Sequence, residues 1–176
     1  SSDVCSSDLL MYKLFFKRLI DFIASLILLV LLLIPFLIIA ILIKLDSKGS
    51  IFYRQIRVGQ NCKEFKIFKF RTMVSNADKI GGYSTSKDDN RITKIGQFLR
   101  KTSLDELPQV INVILGDMSL LGPRPDVPAQ KINYTEDEWL KRHKVKPGIS
   151  GLAQCRNRHN ISNSGRKKYD LFYNRK

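Results

Sequence analysis

Asp105 and Glu106 are adjacent carboxylates placed where a helix should begin. Arg100 and Lys101 precede them, and Gly122-Pro123-Arg124-Pro125 follows. Carboxylates, cations and a proline-fixed turn in one short stretch point to phosphate chemistry more than to packing. An aspartate near a helix N-terminus and a guanidinium is stabilised in its charged form, so the Asp105 pKa is expected below the usual carboxylate range. Such a group suits a nucleophile or a metal ligand better than a general acid. Two neighbouring carboxylates can also share Mg²⁺ with a diphosphate, because that ion takes oxygen donors. Prolines on both sides of Arg124 fix its backbone, and a clamped guanidinium suits bidentate phosphate binding. A solvated arginine in a turn accounts for that motif equally well.

A plainer reading of the carboxylates is a capping box, with Ser103 as N-cap and Glu106 reaching back to it. Pro108 complicates this reading. It would stand at the fifth helical position, where an N–H is needed and its ring meets the Leu104 carbonyl. Either the regular helix begins nearer Asp105 or its first turn is distorted. Both outcomes leave the carboxylates at an irregular, partly open helix start. The helix should then run through Val110, Ile111, Val113, Ile114 and Leu115 and stop at Gly116.

The elements that must hold this stretch follow from patterning. Ile51–Val58 and Glu64–Met73 are rich in β-formers around a short Gly59–Lys63 connection, which predicts a β-hairpin. Phe65, Ile67, Lys69 and Arg71 share one strand face, and Lys66, Phe68 and Phe70 share the other. Cations on both faces fit either a solvated strand or one that meets an anion or lipid headgroups. Residues 75–92 read as a loop. Ile92–Leu99 reads as a helix leading to the carboxylates, Glu136–Lys144 as another short helix, and Lys146–Gly151 as a turn.

Phe22 to Ile43 contains no charged residue. About 20 apolar residues cross a bilayer core as a helix, so the run predicts membrane insertion. Pro35 lies past its middle and should break it. Lys13, Lys17 and Arg18 precede the run; Lys44, Lys48, Arg54 and Arg57 follow it. Cations mark the cytoplasmic side, and here both ends qualify. A helix that dips in and returns satisfies both ends, whereas a straight span would carry one cationic cluster across. Residues 1–10 read as a leader outside the fold, with Met11 as the natural start.

Lys and Arg total 30 against 16 Asp and Glu, a net charge of +14. That excess calls for an anionic partner: nucleic acid, a bilayer surface or a phosphorylated substrate. No zinc motif, recognition-helix pattern or aromatic RNA-binding signature supports nucleic acid. The cysteines, Cys5, Cys62 and Cys155, are odd in number and widely spaced, which argues against a disulfide framework.

The ordered set Lys69–Met73, Ser103–Gln109, Gly116–Ser119, Gly122–Pro125 and Lys146–Gln154 resembles the bacterial sugar transferases, the monotopic polyprenyl-phosphate phosphoglycosyl transferases. The resemblance covers about residues 11–170. It implies an α+β fold: a re-entrant membrane helix over 11–48, broken near Pro35, and a small, mostly helical catalytic domain over 49–176 containing the β-hairpin. It also implies transfer of a sugar 1-phosphate from a nucleotide sugar, usually UDP-linked, to undecaprenyl phosphate at the cytoplasmic face of the bacterial inner membrane. Asp105 matches the family nucleophile that forms an aspartyl-phosphosugar intermediate as UMP leaves. Glu106 would orient or deprotonate. Mg²⁺ would contact Asp105, and Lys69, Arg71, Arg100 and Arg124 would lie near phosphates. Membrane lipids join the two substrates as partners, nucleic acid does not, and a homodimer is among the assemblies allowed. The chain departs from the family pattern at Ile34-Pro35, where Ser-Pro is common, and at Cys155-Arg156-Asn157 and Asn163, where Gly-Arg-Asn and Trp are usual. A relative that has lost catalysis and only holds a lipid phosphate or a partner enzyme is the alternative.

Overall fold

The computed structural model describes residues 2–77, 89–156, 165, 169 and 170, with side chains from Phe15 onward. Helix α1 (Ser2–Leu31) is followed by α2 (Leu33–Asp46) and strands β1 (Phe52–Val58) and β2 (Glu64–Phe70). Then come α3 (Lys94–Thr102), a 3-10 turn (Leu104–Glu106), α4 (Gln109–Leu115) and β3 (Ser119–Leu121). A second 3-10 segment (Pro128–Asn133), α5 (Glu136–Arg142), β4 (Gly148–Ser150) and α6 (Leu152–Arg156) complete the order. This mixture of helices and small sheets is the expected α+β class. The predicted hairpin forms: β1 and β2 pair, and the Gly59 N–H closes the loop on the Lys63 carbonyl at 2.8 Å. The Gly81-Gly82 loop and the departures at Asn157 and Asn163 lie outside the described residues.

The apolar run breaks at Leu32, one turn before Pro35. Pro35 then falls in the first turn of α2, where an N–H has no intrahelical acceptor anyway. The Phe36 N–H makes the first bond of the new helix, to the Leu32 carbonyl at 2.8 Å. Phe15–Leu31 and Leu33–Asp46 are bent by 59°. Among the described residues no single helix is long and apolar enough to cross a membrane; the bent pair taken together passes on length and composition.

The chain divides into two compact units. One comprises Leu31–Gln55 and Lys66–Gln109. Its core is Ile39 and Ile43 of α2, Phe70 of β2 and Leu99 of α3, with Phe36, Ile51, Ile95 and Leu104 packed around them. Ile39 and Ile43 are four apart and so share one helix face. Thr93 caps α3 by accepting the Gly96 N–H, and Asp46 accepts the Ile95 N–H at 3.0 Å. A Cβ on Gly96 would lie 2.1 Å from the Thr72 carbonyl oxygen, so only glycine lets α3 approach the end of β2. Ile67 and Phe70 lie on opposite strand faces yet both are buried. Glu64 and Lys66 remain exposed, so the strand is solvated at its start and covered towards its end.

The other unit comprises Ser1–Val30, Ile56–Phe65 and Val110–Lys176. Parallel strands β3 and β4 pair Ser119 with Gly148 and Leu121 with Ser150. A strand therefore lies inside the segment expected to be only a turn. Gly122 and Gly148 meet backbone to backbone, and a Cβ on Gly148 would lie 2.1 Å from the Gly122 nitrogen. Val110, Val113, Met118 and Trp139 are buried. Arg142, also buried, pairs with Asp126 at 2.7 Å and Asp170 at 2.6 Å. Helix α1 is tied to this unit by polar contacts. Arg18 donates to the Val113 and Ile114 carbonyls at the end of α4, and Asp21 accepts from the Ser119 hydroxyl at 2.7 Å.

Candidate active site

The carboxylates do not cap a helix. Ser103 ends α3 in the left-handed conformation (φ 60°) and its side chain caps nothing. Leu104–Glu106 form one 3-10 turn, and the regular helix begins only at Gln109, just past Pro108. Pro108 therefore sits where its missing N–H costs no helical bond. A serine at positive φ is a strained joint, of the kind that persists where surrounding structure fixes it. Along the chain, Asp105 and Glu106 follow this joint, after α3 has ended and before the next helix begins.

Within the same unit, β2 delivers Lys69 to this turn. Its ammonium lies 2.9 Å from Glu106 Oε1, with both side chains mostly buried. The last turn of α3 delivers Arg100, whose Nε donates to the Thr72 hydroxyl at 2.9 Å. Thr72 was not singled out from the sequence; only its place between Arg71 and Met73 hints at it. Burial pushes the Asp105 carboxyl above its ordinary pKa, against the opposing pull of Lys69 and Arg100, while Glu106 adds to the rise. This overturns the expected lowering. The Asp105 position is drier than an exposed helix start, and desolvation outweighs the cations.

Arg71 does something other than expected. It is buried, and its guanidinium donates to the Ser47 and Lys48 carbonyls, to the Ser47 hydroxyl at 2.9 Å and, more distantly, to the Ile43 carbonyl. These groups lie at and just past the C-terminal end of α2, where helix carbonyls lack intrahelical donors. Arg71 therefore closes a helix end in its own unit. Lys69 and Arg71 have the same strand parity, but the strand ends at Phe70, so parity no longer predicts where Arg71 goes.

Arg124 belongs to the other unit. Its turn is rigid because three successive carbonyls are engaged. Pro123 accepts from the Gly148 N–H at 2.9 Å, Arg124 from Arg142 at 2.9 Å, and Pro125 from Arg57 at 3.2 Å. Prolines and partners together fix the backbone, as the motif suggested.

Among the described residues no three His, Cys, Asp or Glu side chains gather as a metal cage. The donor set fits Mg²⁺ in its other common mode, one or two carboxylates completed by phosphate oxygens and water. Asp105 is the available protein donor, since Glu106 is held by Lys69.

Residues 12–176 match the family described as Bacterial sugar transferase. A UDP-glucose:undecaprenyl-phosphate glucose-1-phosphate transferase of Klebsiella pneumoniae is 44% identical over 90% of this chain and 36% of its own length. The exopolysaccharide production protein PSS of Rhizobium leguminosarum bv. phaseoli is 46% identical over 80% of this chain and 73% of its own. A UDP-N-acetylgalactosamine-undecaprenyl-phosphate N-acetylgalactosaminephosphotransferase of Aeromonas hydrophila is 42% identical over 80% and 34% respectively. The chain thus spans about a third of the length of two of these relatives. With the match running through all five motifs and the turn that carries Asp105 and Glu106, the chain belongs to the bacterial sugar transferase family.

Proposed function

We propose that this protein transfers a sugar 1-phosphate from a UDP-sugar to undecaprenyl phosphate through a covalent intermediate on Asp105. The observation that carries the reading is the setting of Asp105: a desolvated carboxylate on a strained turn, in the field of Lys69 and Arg100. A carboxylate stripped of water is a stronger nucleophile than one pinned by a short ion pair. Its oxygen attacks the sugar-linked phosphorus, and the bond from that phosphorus to the bridging oxygen breaks. UMP leaves with the electron pair. An oxygen of the lipid phosphate then attacks the same phosphorus and frees Asp105. Lys69 holds Glu106 beside the reacting group, and Arg100 adds positive potential where phosphate charge builds. Asp105 would also hold Mg²⁺, which neutralises diphosphate charge when bound.

The membrane part of the reading is a re-entrant anchor that enters and leaves on the cytoplasmic face. Its support is the charge-free run Phe22–Ile43, the 59° bend and cations at both flanks. Apolar side chains such as Ile27, Leu31, Ile34 and Leu37 are more than half exposed along both helices, which suits lipid contact.

The test is a UMP-release screen over a panel of UDP-sugars, with undecaprenyl phosphate and Mg²⁺, in nanodiscs. The expected result is release with at least one sugar, abolished by Asp105→Asn, and a phosphosugar adduct on Asp105 by intact mass. Near-normal turnover in Asp105→Asn overturns the nucleophile assignment. Lipid-phosphate binding with no UMP release from any sugar favours the non-catalytic alternative.

A further inference from the structure

A second cluster of cations lies in the unit that holds α1, and the chemistry proposed above does not use it. Helix α4 ends at Leu115, and Gly116 makes the turn after it. A Cβ placed on Gly116 would meet Arg18 Nη2 at 3.2 Å and Lys146 Nζ at 3.9 Å, so both nitrogens crowd one point. Arg18 is satisfied there by the Val113 and Ile114 carbonyls. Lys17, one residue earlier, donates to the Ser119 hydroxyl and to the Leu121 carbonyl.

Lys146 differs from both. Among the described residues its ammonium has no hydrogen-bond or ion-pair partner. Two carboxylates are near, but both are engaged: Asp21 by Ser119, and Asp117 by the Asn112 amide at 3.2 Å. Partial burial and then the neighbouring Arg18 push the Lys146 pKa down, so its charge is uncomfortable as the site stands. A cation held against another cation without an acceptor calls for an anion.

Two further features say what kind of anion. Lys17 and Arg18 lie within about one helical turn of the apolar run that starts at Phe22, which puts the cluster at headgroup depth if that run enters a bilayer. Leu115 and Leu121 border the cluster and are 64% and 58% exposed, although α4 and β3 could have carried polar residues there. Exposed leucines beside cations suit a ligand with a charged head and an apolar tail.

We propose that Lys146, with Arg18 and Lys17, seats the phosphodiester headgroup of one anionic bilayer phospholipid, whose acyl chains lie over Leu115 and Leu121. The inference rests on the membrane reading above. The bland account, that Lys146 only opposes the dipole at the end of α4, moves stability but not lipid choice.

The experiment uses the full chain, released from nanodiscs and weighed by native mass spectrometry. The probes are phosphatidylglycerol, phosphatidylcholine, undecaprenyl phosphate and inorganic phosphate. The wild type is expected to retain one phosphatidylglycerol in preference to phosphatidylcholine, and Lys146→Gln to retain it about fivefold less, as loss of one cation at a membrane surface implies. Lys146→Arg should restore retention, and Lys144→Gln should leave it unchanged. Equal retention by Lys146→Gln and wild type overturns the inference. So does displacement of the lipid by millimolar inorganic phosphate or by equimolar undecaprenyl phosphate. The wild-type preference needs no variant, so the inference stays testable even if Lys146→Gln unfolds. A wild type that washes off membranes at alkaline pH overturns the membrane reading together with the inference. A wild type that stays, without preference for phosphatidylglycerol, overturns the inference alone.

Discussion

Lys69 Nζ lies 2.9 Å from Glu106 Oε1, and this ion pair separates two adjacent carboxylates into different settings. Glu106 is neutralised and oriented by a strand from earlier in the chain. Among the described residues Asp105 has no ion-pair partner, and burial raises its pKa. Adjacent carboxylates with divergent surroundings are a common basis for dividing chemical roles.

Lys69→Met should lower UMP release by about a hundredfold or more, the usual scale for removing one preorganised charge. It also takes the Lys69 charge away from the mostly buried Glu106, so stability should fall. Lys69→Met combined with Glu106→Gln should recover the stability but not the activity. A double-mutant cycle read by thermal denaturation in detergent checks this, and additivity of the two stability effects would show that the pair does not couple.

Asp105→Asn should abolish turnover by at least about a thousandfold. Its stability effect follows from the sign of the pKa shift. The folded-state pKa is raised, so the folded state holds the proton more tightly than the unfolded chain. The associated stability is present below the unfolded pKa and is lost as pH rises through the folded value. At neutral pH, well above the unfolded value, Asp105 is therefore a liability, and Asp105→Asn should melt higher than wild type at pH 7. The gain should vanish near pH 3, which melting curves at both pH values would reveal.

Arg71→Met should lower stability by about 3 kcal/mol, because several carbonyls around the end of α2 lose a charged donor. The KM for the UDP-sugar should stay within about twofold for the folded fraction. A large rise in KM with unchanged stability would instead return Arg71 to the phosphate site implied by the family resemblance.

Gly148→Ala should be among the most damaging single-methyl changes in the chain. The added Cβ would lie 2.1 Å from one backbone atom and 2.6 Å from another, both in Gly122, and neither can swing away. Overpacking of this kind costs about 1–3 kcal/mol or more. Reduced yield of folded protein and a lower melting temperature are the expected readouts; Gly116→Ala should also destabilise, for a different reason, because Gly116 has φ +97°, a conformation that alanine rarely adopts.

Local chemistry by itself determined a large part of this protein. The charge-free run, the hairpin with its short loop and the helix before Asp105 were legible because each depends on near neighbours: apolar content, turn residues, periodicity. Pro108 already argued that the carboxylates stand at an irregular turn, and the ordered motifs carried the family. Tertiary structure decided what each charged group does. Arg71 and Lys69 are two residues apart and chemically alike, yet one closes the end of α2 and the other holds Glu106. The Asp105 pKa turned on burial, which no local dipole argument could weigh. The cluster of Arg18 and Lys146 spans most of the chain and exists only because α1 and the Lys146–Gly151 segment both meet the end of α4. Secondary structure is set by local energies; the role of a charge is set by its solvent and partners, and those come from packing.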